Sequence, residues 1–344
     1  MATPRFLLVL GPSWFLVTLL GTLAAQAEPA GGGTDPHQLN KRLGRGVNII
    51  GYDPLWRSRD KARFQEKHFR LIAEAGFQHV RVNLHPWRDR KIDAQDALAA
   101  DWLDTLDWVV KHALENKLLV ILDLHEFQAM GRDAEGNRKR LMATWKQLSQ
   151  RYRQTPEEVL FEILNEPNGK LTPELWNQYL REALAIIRAS NPYRAVVVGP
   201  AFWNSVDHLD QLQLPADDRH LIATVHYYKP MSFTHQGASW TGQKDKVGVR
   251  WEGTAEERAA IARDFDKVQA WARKHDRPIY LGEFGAYDKG DMPSRVRYIA
   301  FVARQAEQRG WSWGYWQFDG DFIVFDMKTQ QWVEPILRAL IPAL

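Results

Sequence analysis

The chain has 344 residues, 45% of them hydrophobic, with a formal charge of +3 from 45 basic and 42 acidic side chains. That is enough to bury one large core, while so small an excess of charge, without long runs of either sign, excludes a polyanionic partner such as nucleic acid. The absence of cysteine excludes disulfides, thiolate nucleophiles and cysteine-ligated metals, and fifteen tryptophans exceed ordinary usage in a way that suits stacking on sugar C–H faces as well as core packing.

At the N-terminus, Arg5 precedes an apolar stretch from Phe6 to Leu23, and Ala25-Gln26-Ala27 follows with the small-x-small pattern of a processing site. A signal peptide over 1–27 is expected, and with it a secreted or periplasmic location and no stable membrane partner after cleavage. The alternative is a retained anchor, since the stretch nearly reaches spanning length, although Gly11-Pro12 interrupts it. Residues 28–40 read as a flexible lead-in and 41–344 as one folded domain.

Within that domain, β-rich apolar runs fall at Gly46–Tyr52, His79–Leu84, Leu118–His125, Val159–Glu166, Ala195–Pro200, Leu221–Tyr228, Pro278–Gly285 and Trp311–Phe318. Amphipathic segments alternate with them: Lys61–Ala75, stopped by Gly76, then Trp102–Asn116 and Leu175–Ser190. Buried strands alternating with helices predict an α/β chain folded as a single (β/α)8 TIM barrel, because each parallel connection crosses over through a helix. An open doubly wound sheet fits less well, since the first run carries no dinucleotide-type glycine turn. A monomer is expected.

Barrel active sites are built at the C-terminal strand ends, and here nearly every run ends in chemistry. The second carries Arg81 and Asn83; the third ends Asp123-Leu124-His125-Glu126; the fourth ends Asn165-Glu166-Pro167. The sixth gives His226-Tyr227-Tyr228, the seventh Gly282-Glu283-Phe284-Gly285, and the eighth Trp313 and Trp316. Ionisable groups are costly inside apolar strands, so a ring of them at one end points to a site rather than a core.

Cleaving an acetal with retention takes one carboxylic acid to protonate the leaving oxygen and one carboxylate to attack the anomeric carbon. Glu166 and Glu283 are the candidates: each follows a strongly apolar run, and strands four and seven face each other across an eight-stranded mouth. Arg81 and Tyr228 are placed to hold Glu283 ionised, Asn165 to bind a sugar 2-hydroxyl, His226 to tune the acid/base, His125 to hold a hydroxyl in the subsite before the cleavage point, and Trp316 to stack against a sugar. Gly282 and Gly285 are read as allowing close approach to Glu283. Trp102, Trp108, Trp145, Trp176 and Trp271 lie on helical segments and are read as packing; Trp56, Trp87, Trp203 and Trp240 follow strand ends, where sugar stacking is open. No His-x-His or His-Glu-x-x-His spacing occurs, so neither a metal nor another cofactor is expected.

Ile163-Leu164-Asn165-Glu166-Pro167, Val225-His226-Tyr227-Tyr228 and Leu281-Gly282-Glu283-Phe284-Gly285, in this order, resemble glycoside hydrolase family 5, the cellulase family of the clan A barrels. The similarity runs from about Gly46 to the final strand. It implies a retaining barrel enzyme with Arg81, His125, Asn165, Glu166, His226, Tyr228, Glu283 and Trp316 at the family's positions. Phe233-Thr234-His235-Gln236-Gly237-Ala238-Ser239-Trp240 is similar to a stretch of some bacterial endoglucanases, which implies an endo-β-1,4-glucanase acting on a β-glucan polysaccharide or oligosaccharide. One departure is Glu126, where many members carry a second histidine. β-Mannanase, xyloglucanase and mixed-linkage glucanase remain alternatives, as do a non-catalytic polysaccharide-binding barrel and a tethered polymer-trimming factor.

Overall fold

A computed structural model describes residues 1–2 and 32–342 of the chain. The expected signal peptide, beyond its first two residues, lies outside them. The strands β1 (Arg45–Ile49), β2 (His79–Leu84), β3 (Leu119–Leu124), β4 (Val159–Glu162), β5 (Val196–Val198), β6 (Leu221–Tyr227), β7 (Ile279–Phe284) and β8 (Ser312–Tyr315) form a closed barrel in chain order, all neighbours parallel. This is the (β/α)8 barrel the alternating pattern predicts. Most strands stop short of the apolar run that announced them; β4 ends at Glu162, so Asn165 and Glu166 stand in the loop beyond it.

The helices show a similar adjustment. Ala100–Glu115 and Pro173–Arg188 fall where expected, but the segment expected from Lys61 becomes helical only at Glu66. The backbone N–H groups of Arg63 and Phe64 are taken by the Asp53 carboxylate, and the helix then starts with a Gln65–His68 capping box. The lead-in expected over 28–40 also ends earlier. Residues Pro36–Leu43 form a helix, capped by the Asp35 carboxylate, that seals the N-terminal end of the barrel. Asn40 ties it there, donating to the carbonyl of Ile279 and accepting from the Ser312 hydroxyl.

Two apolar layers result. One lies between the sheet and its surrounding helices; the other fills the lower barrel with Leu119, Ile121, Leu160, Val197, Ile222 and Tyr280, closed beneath by Leu39 and Leu43. Alternate strand residues point inward. Read upward on that face, β3 gives Leu119, Ile121 and Asp123, followed by His125; β4 gives Leu160 and Glu162; β6 gives Ile222, Thr224 and His226. The barrel interior thus changes from hydrocarbon to ionisable groups within about three residues of rise, roughly 10 Å.

Candidate active site

The upper interior is organised around Arg81, which is fully buried at 0% exposure. Its Nε and Nη2 bind both oxygens of Glu162 at 2.7 Å, a bidentate pair, while Nη2 also reaches Asn165 Oδ1 at 2.9 Å and Asp123 Oδ2 at 3.1 Å. Its Nη1 donates to Asn48 Oδ1 at 2.8 Å and to Glu283 Oε1 at 2.7 Å. Burial alone would lower this guanidinium, but Asp123, Glu162 and Glu283 hold it well above its ordinary value. Burial pushes Asp123 and Glu162 up, and Arg81 opposes that push. Removing either sign would leave the other unpaired in a dry interior.

Glu283 reaches the same cavity through an irregularity. The pairing of β7 with both neighbours slips around Gly282 and Glu283, setting Glu283 opposite His226. A bulge breaks strict alternation, so Glu283 points inward although Tyr280 three positions earlier does too. Gly282 is required here for a different reason from the one the sequence suggested. A Cβ on it would stand 2.7 Å from the Thr224 hydroxyl and 2.9 Å from the His226 imidazole, and one on Gly285 would stand 2.5 Å from the Trp316 carbonyl. These glycines admit neighbouring protein groups rather than sugar.

Arg81 donates to one oxygen of Glu283, and the Tyr228 hydroxyl donates to the other at 3.0 Å. Tyr228 itself is held far above its ordinary value by burial and by Glu283, so it remains a donor. Glu166 stands opposite, its backbone in the left-handed region at φ +42°. His226 lies between them: Nδ1 is 2.8 Å from Glu166 Oε1 and 3.6 Å from Glu283 Oε2. The Asn204 amide lies 3.3 Å from its Nε2, which fits an Nδ1–H tautomer, and burial lowers the ring's pKa and keeps it neutral.

Burial pushes both carboxyl groups up, Glu166 to about 8 and Glu283 to about 7. Arg81 opposes that push on both, but only Glu283 takes a direct hydrogen bond from its guanidinium, whereas Asp123 and Glu162 oppose the ionisation of Glu166; Glu283 is thereby the readier carboxylate.

The third strand end completes the mouth. His125 donates from Nδ1 to Asp123 at 2.5 Å and accepts the Asn165 amide on Nε2 at 3.2 Å, with its ring parallel to Trp316 at 5.5 Å and 10°. Asn165 is thereby fixed between Arg81 and His125, with a second amide hydrogen available. All eight residues singled out from sequence thus gather at one end of the barrel. Glu162, Asp123 and Asn48 were not among them, although a lone Glu162 in the apolar run Val159–Leu164 was a signal. The tryptophans divide differently from expectation. Trp56 and Trp87 are buried, their indole N–H groups donating to the Ile50 carbonyl and the Thr144 hydroxyl, and belong to the core; Trp203 and Trp240 are exposed.

Glu166, His226 and Glu283 each offer one donor atom, and these lie within 4.8 Å of one another, a set close enough for a cation. Chain spacing did not reveal this grouping because its members come from three separate segments, the loop after β4 and the strands β6 and β7. Each already has a protein partner, and Arg81 supplies a positive charge to Glu283.

Comparison with known proteins gives a consistent result. The family model described as Cellulase (glycosyl hydrolase family 5) matches residues 41–321. Endoglucanase H of Acetivibrio thermocellus is 30% identical over 318 residues, covering 89% of this chain but 33% of that protein, so the chain spans about a third of this relative's length. Cel5A of Thermotoga maritima, solved with mannotriose, is 37% identical with a TM-score of 0.85 over 89% of this chain and 100% of its own; it has also been solved with cellobiose. Cellulose synthase subunit Z of Clostridioides difficile is 32% identical, with a TM-score of 0.82 over 87% of this chain and 99% of that one.

Proposed function

This chain belongs to glycosyl hydrolase family 5, the cellulase family, and from that membership we propose that it is a retaining endo-β-1,4-glucanase cleaving cellulose-type glucans. The observation that carries the reading is the closeness of Glu166 and Glu283, with oxygens within 4.8 Å. Retaining pairs stand about 5–5.5 Å apart, whereas inverting pairs need roughly 6.5–9.5 Å to admit a water between them.

In this mechanism Glu283, held as a carboxylate by Arg81 and Tyr228, attacks the anomeric carbon while Glu166 gives its proton to the leaving oxygen. The glycosidic C–O bond breaks and a glycosyl ester forms on Glu283. Glu166, now a carboxylate, takes a proton from water, whose oxygen displaces Glu283 and releases the sugar. Asn165 is placed to donate to the sugar 2-hydroxyl as positive charge develops, and Trp316, backed by His125, forms the platform beneath that sugar. The protein acts as an exported monomer on a β-glucan chain.

A second reading, cleavage of β-1,4-mannan, draws on the Thermotoga protein having been solved with mannotriose as well as cellobiose. New reducing ends measured on carboxymethyl-cellulose, mixed-linkage glucan and galactomannan separate the two. Release from the glucans, lost in Glu283→Gln, is the expected result; release from galactomannan alone selects the second reading, and release from none rejects both.

A further inference from the structure

His226 lies between the two carboxyl groups, its Nδ1 standing 2.8 Å from Glu166 Oε1 and 3.6 Å from Glu283 Oε2. An imidazole in that position either gives a hydrogen bond to Glu166 or takes one from it, depending on which ring nitrogen carries the hydrogen. On the far side of the ring, at Nε2, the chain builds a strained arrangement that no step of the mechanism uses.

The group facing Nε2 is the side-chain amide of Asn204, 3.3 Å away and fully buried. It arrives there through three consecutive left-handed residues after β5: Phe202 at φ +59° and ψ +55°, Trp203 at φ +59° and ψ +41°, and Asn204 at φ +53°. Asparagine visits that region readily, but phenylalanine and tryptophan do not, and such strain persists only where the surroundings impose it. Here the Trp203 backbone N–H donates to the Pro167 carbonyl at 3.1 Å, and Ser205 then bridges to β6 at His226. Gly199 leaves the space, since a Cβ on it would collide with the Asn204 amide. A closed frame results. Glu166, itself left-handed, precedes Pro167; Pro167 holds Trp203; Asn204 follows and faces His226; and His226 returns to Glu166.

The frame selects a nitrogen. Burial keeps the ring neutral, so one nitrogen carries hydrogen and the other a lone pair. A bare Nδ1 would set its lone pair toward the Glu283 carboxylate, whereas Nδ1–H points a donor at both carboxyl groups. Nε2 is then an acceptor in a dry interior and needs a donor, which the Asn204 Nδ2 amide supplies. The Asn204 Oδ1 has no hydrogen-bond partner among the described residues, so the side chain is placed for its N–H rather than for its oxygen. Turned over, the amide would demand hydrogen on Nε2 and leave Nδ1 bare between two carboxyl groups.

We infer that Asn204 is a positioning residue for proton transfer: by donating to Nε2 it locks the His226 hydrogen on Nδ1, so that the ring donates to Glu166 Oε1 and leaves the proton of Glu166 on its other oxygen, free for the leaving group. With the hydrogen on Nε2 instead, Nδ1 would take the Glu166 proton into an internal hydrogen bond. In the second step the same Nδ1–H steadies the Glu166 carboxylate until it takes a proton from water. The direction of that proton rests on the retaining-glycosidase reading; the tautomer does not.

Two aryl cellobiosides separate this role from a merely structural one, because 2,4-dinitrophenolate departs without a proton and phenolate needs one. Asn204→Asp keeps the shape and the tolerance for a left-handed backbone but sets an acceptor opposite Nε2. In it the ratio of kcat/KM for phenyl β-cellobioside over 2,4-dinitrophenyl β-cellobioside is expected to fall about tenfold, and in Asn204→Ala, which offers Nε2 no donor, to fall as well. A ratio unchanged or raised in Asn204→Asp overturns the inference, whatever the two rates do together. Nitrogen-15 NMR of histidine-labelled protein, with His226 assigned by its loss in His226→Gln, reads the tautomer without turnover. The wild type is expected to show Nδ1–H and a bare Nε2, and Asn204→Asp a protonated Nε2. A protonated Nε2 in the wild type, or a bare one in Asn204→Asp, overturns the lock. If the wild-type chain cleaves neither cellobioside, the glycosidase reading fails instead, and the NMR result decides the lock alone.

Discussion

The two ends of the barrel interior are built by the same inward alternation and have opposite properties. At the N-terminal end Leu119, Ile121, Leu160 and Ile222 interdigitate over the helix Pro36–Leu43, and the polar groups there are closed on one another: His79 Nδ1 meets the Leu43 carbonyl at 2.7 Å and Nε2 the Tyr280 hydroxyl at 3.0 Å. Burial lowers His79 to about 4, so it stays neutral. At the C-terminal end, one buried cation faces three buried carboxylates, burial raises one of these, Glu283, and one further carboxyl group, Glu166, above the ordinary range, and among the described residues atoms such as His85 Nε2, Asn204 Oδ1 and Asp123 Oδ1 have no hydrogen-bond partner. The lower end makes the fold; the upper end is held together at a cost that only chemistry on a ligand explains.

Substitutions separate the two ends. The largest effect is expected for Glu283→Gln, which keeps shape and removes the nucleophile: kcat on a soluble glucan falls by at least about 10⁴ with the melting temperature unchanged or higher. Next is Arg81→Met, which strands Glu162, Asp123 and Glu283. Chemical denaturation is expected to show a loss of about 3–5 kcal/mol together with loss of activity. Ile121→Ala, a few residues below, is expected to cost about 2–5 kcal/mol by the same measurement while leaving kcat/KM within about twofold. A lower-end change that altered chemistry as strongly as stability would break the comparison.

The smallest effects come from titration. Turnover needs Glu283 ionised and Glu166 protonated, so kcat/KM is expected to follow a narrow bell between about 7 and about 8, with the limbs belonging to the coupled pair. Both groups bind protons more tightly folded than unfolded. The stability they add is full below the unfolded value, about 4.3, and is lost as pH rises through the folded values. Denaturation of Glu166→Gln at several pH values is expected to show a shallower decline from pH 5 to 8 than the wild type.

The lower end and the strand positions were legible in the sequence because buried strands need apolar runs, and apolar runs bounded by turn residues are hard to mistake. The catalytic candidates were legible for the converse reason: Glu166 and Glu283 interrupt such runs where apolar residues are otherwise required. What could not be read was how neighbours share space. Gly282 looked like room for substrate and proved to be room for His226. Phe202, Trp203 and Asn204 take three consecutive left-handed conformations, at φ +59°, +59° and +53°, although none is glycine, because the Trp203 N–H is held by the Pro167 carbonyl and Asn204 faces His226. Trp87 followed a strand end like a platform yet is buried, since Glu126 turns its loop inward.

Glu166 and Glu283 stand too close together to admit a water between them. Proton NMR of the first sugar released from a cello-oligosaccharide, recorded before mutarotation, tests this most directly. Initial appearance of the β-anomer is expected, with Glu283 as the site of the glycosyl ester; initial appearance of the α-anomer would mean single displacement by water and would contradict the assignment of Glu283 as nucleophile.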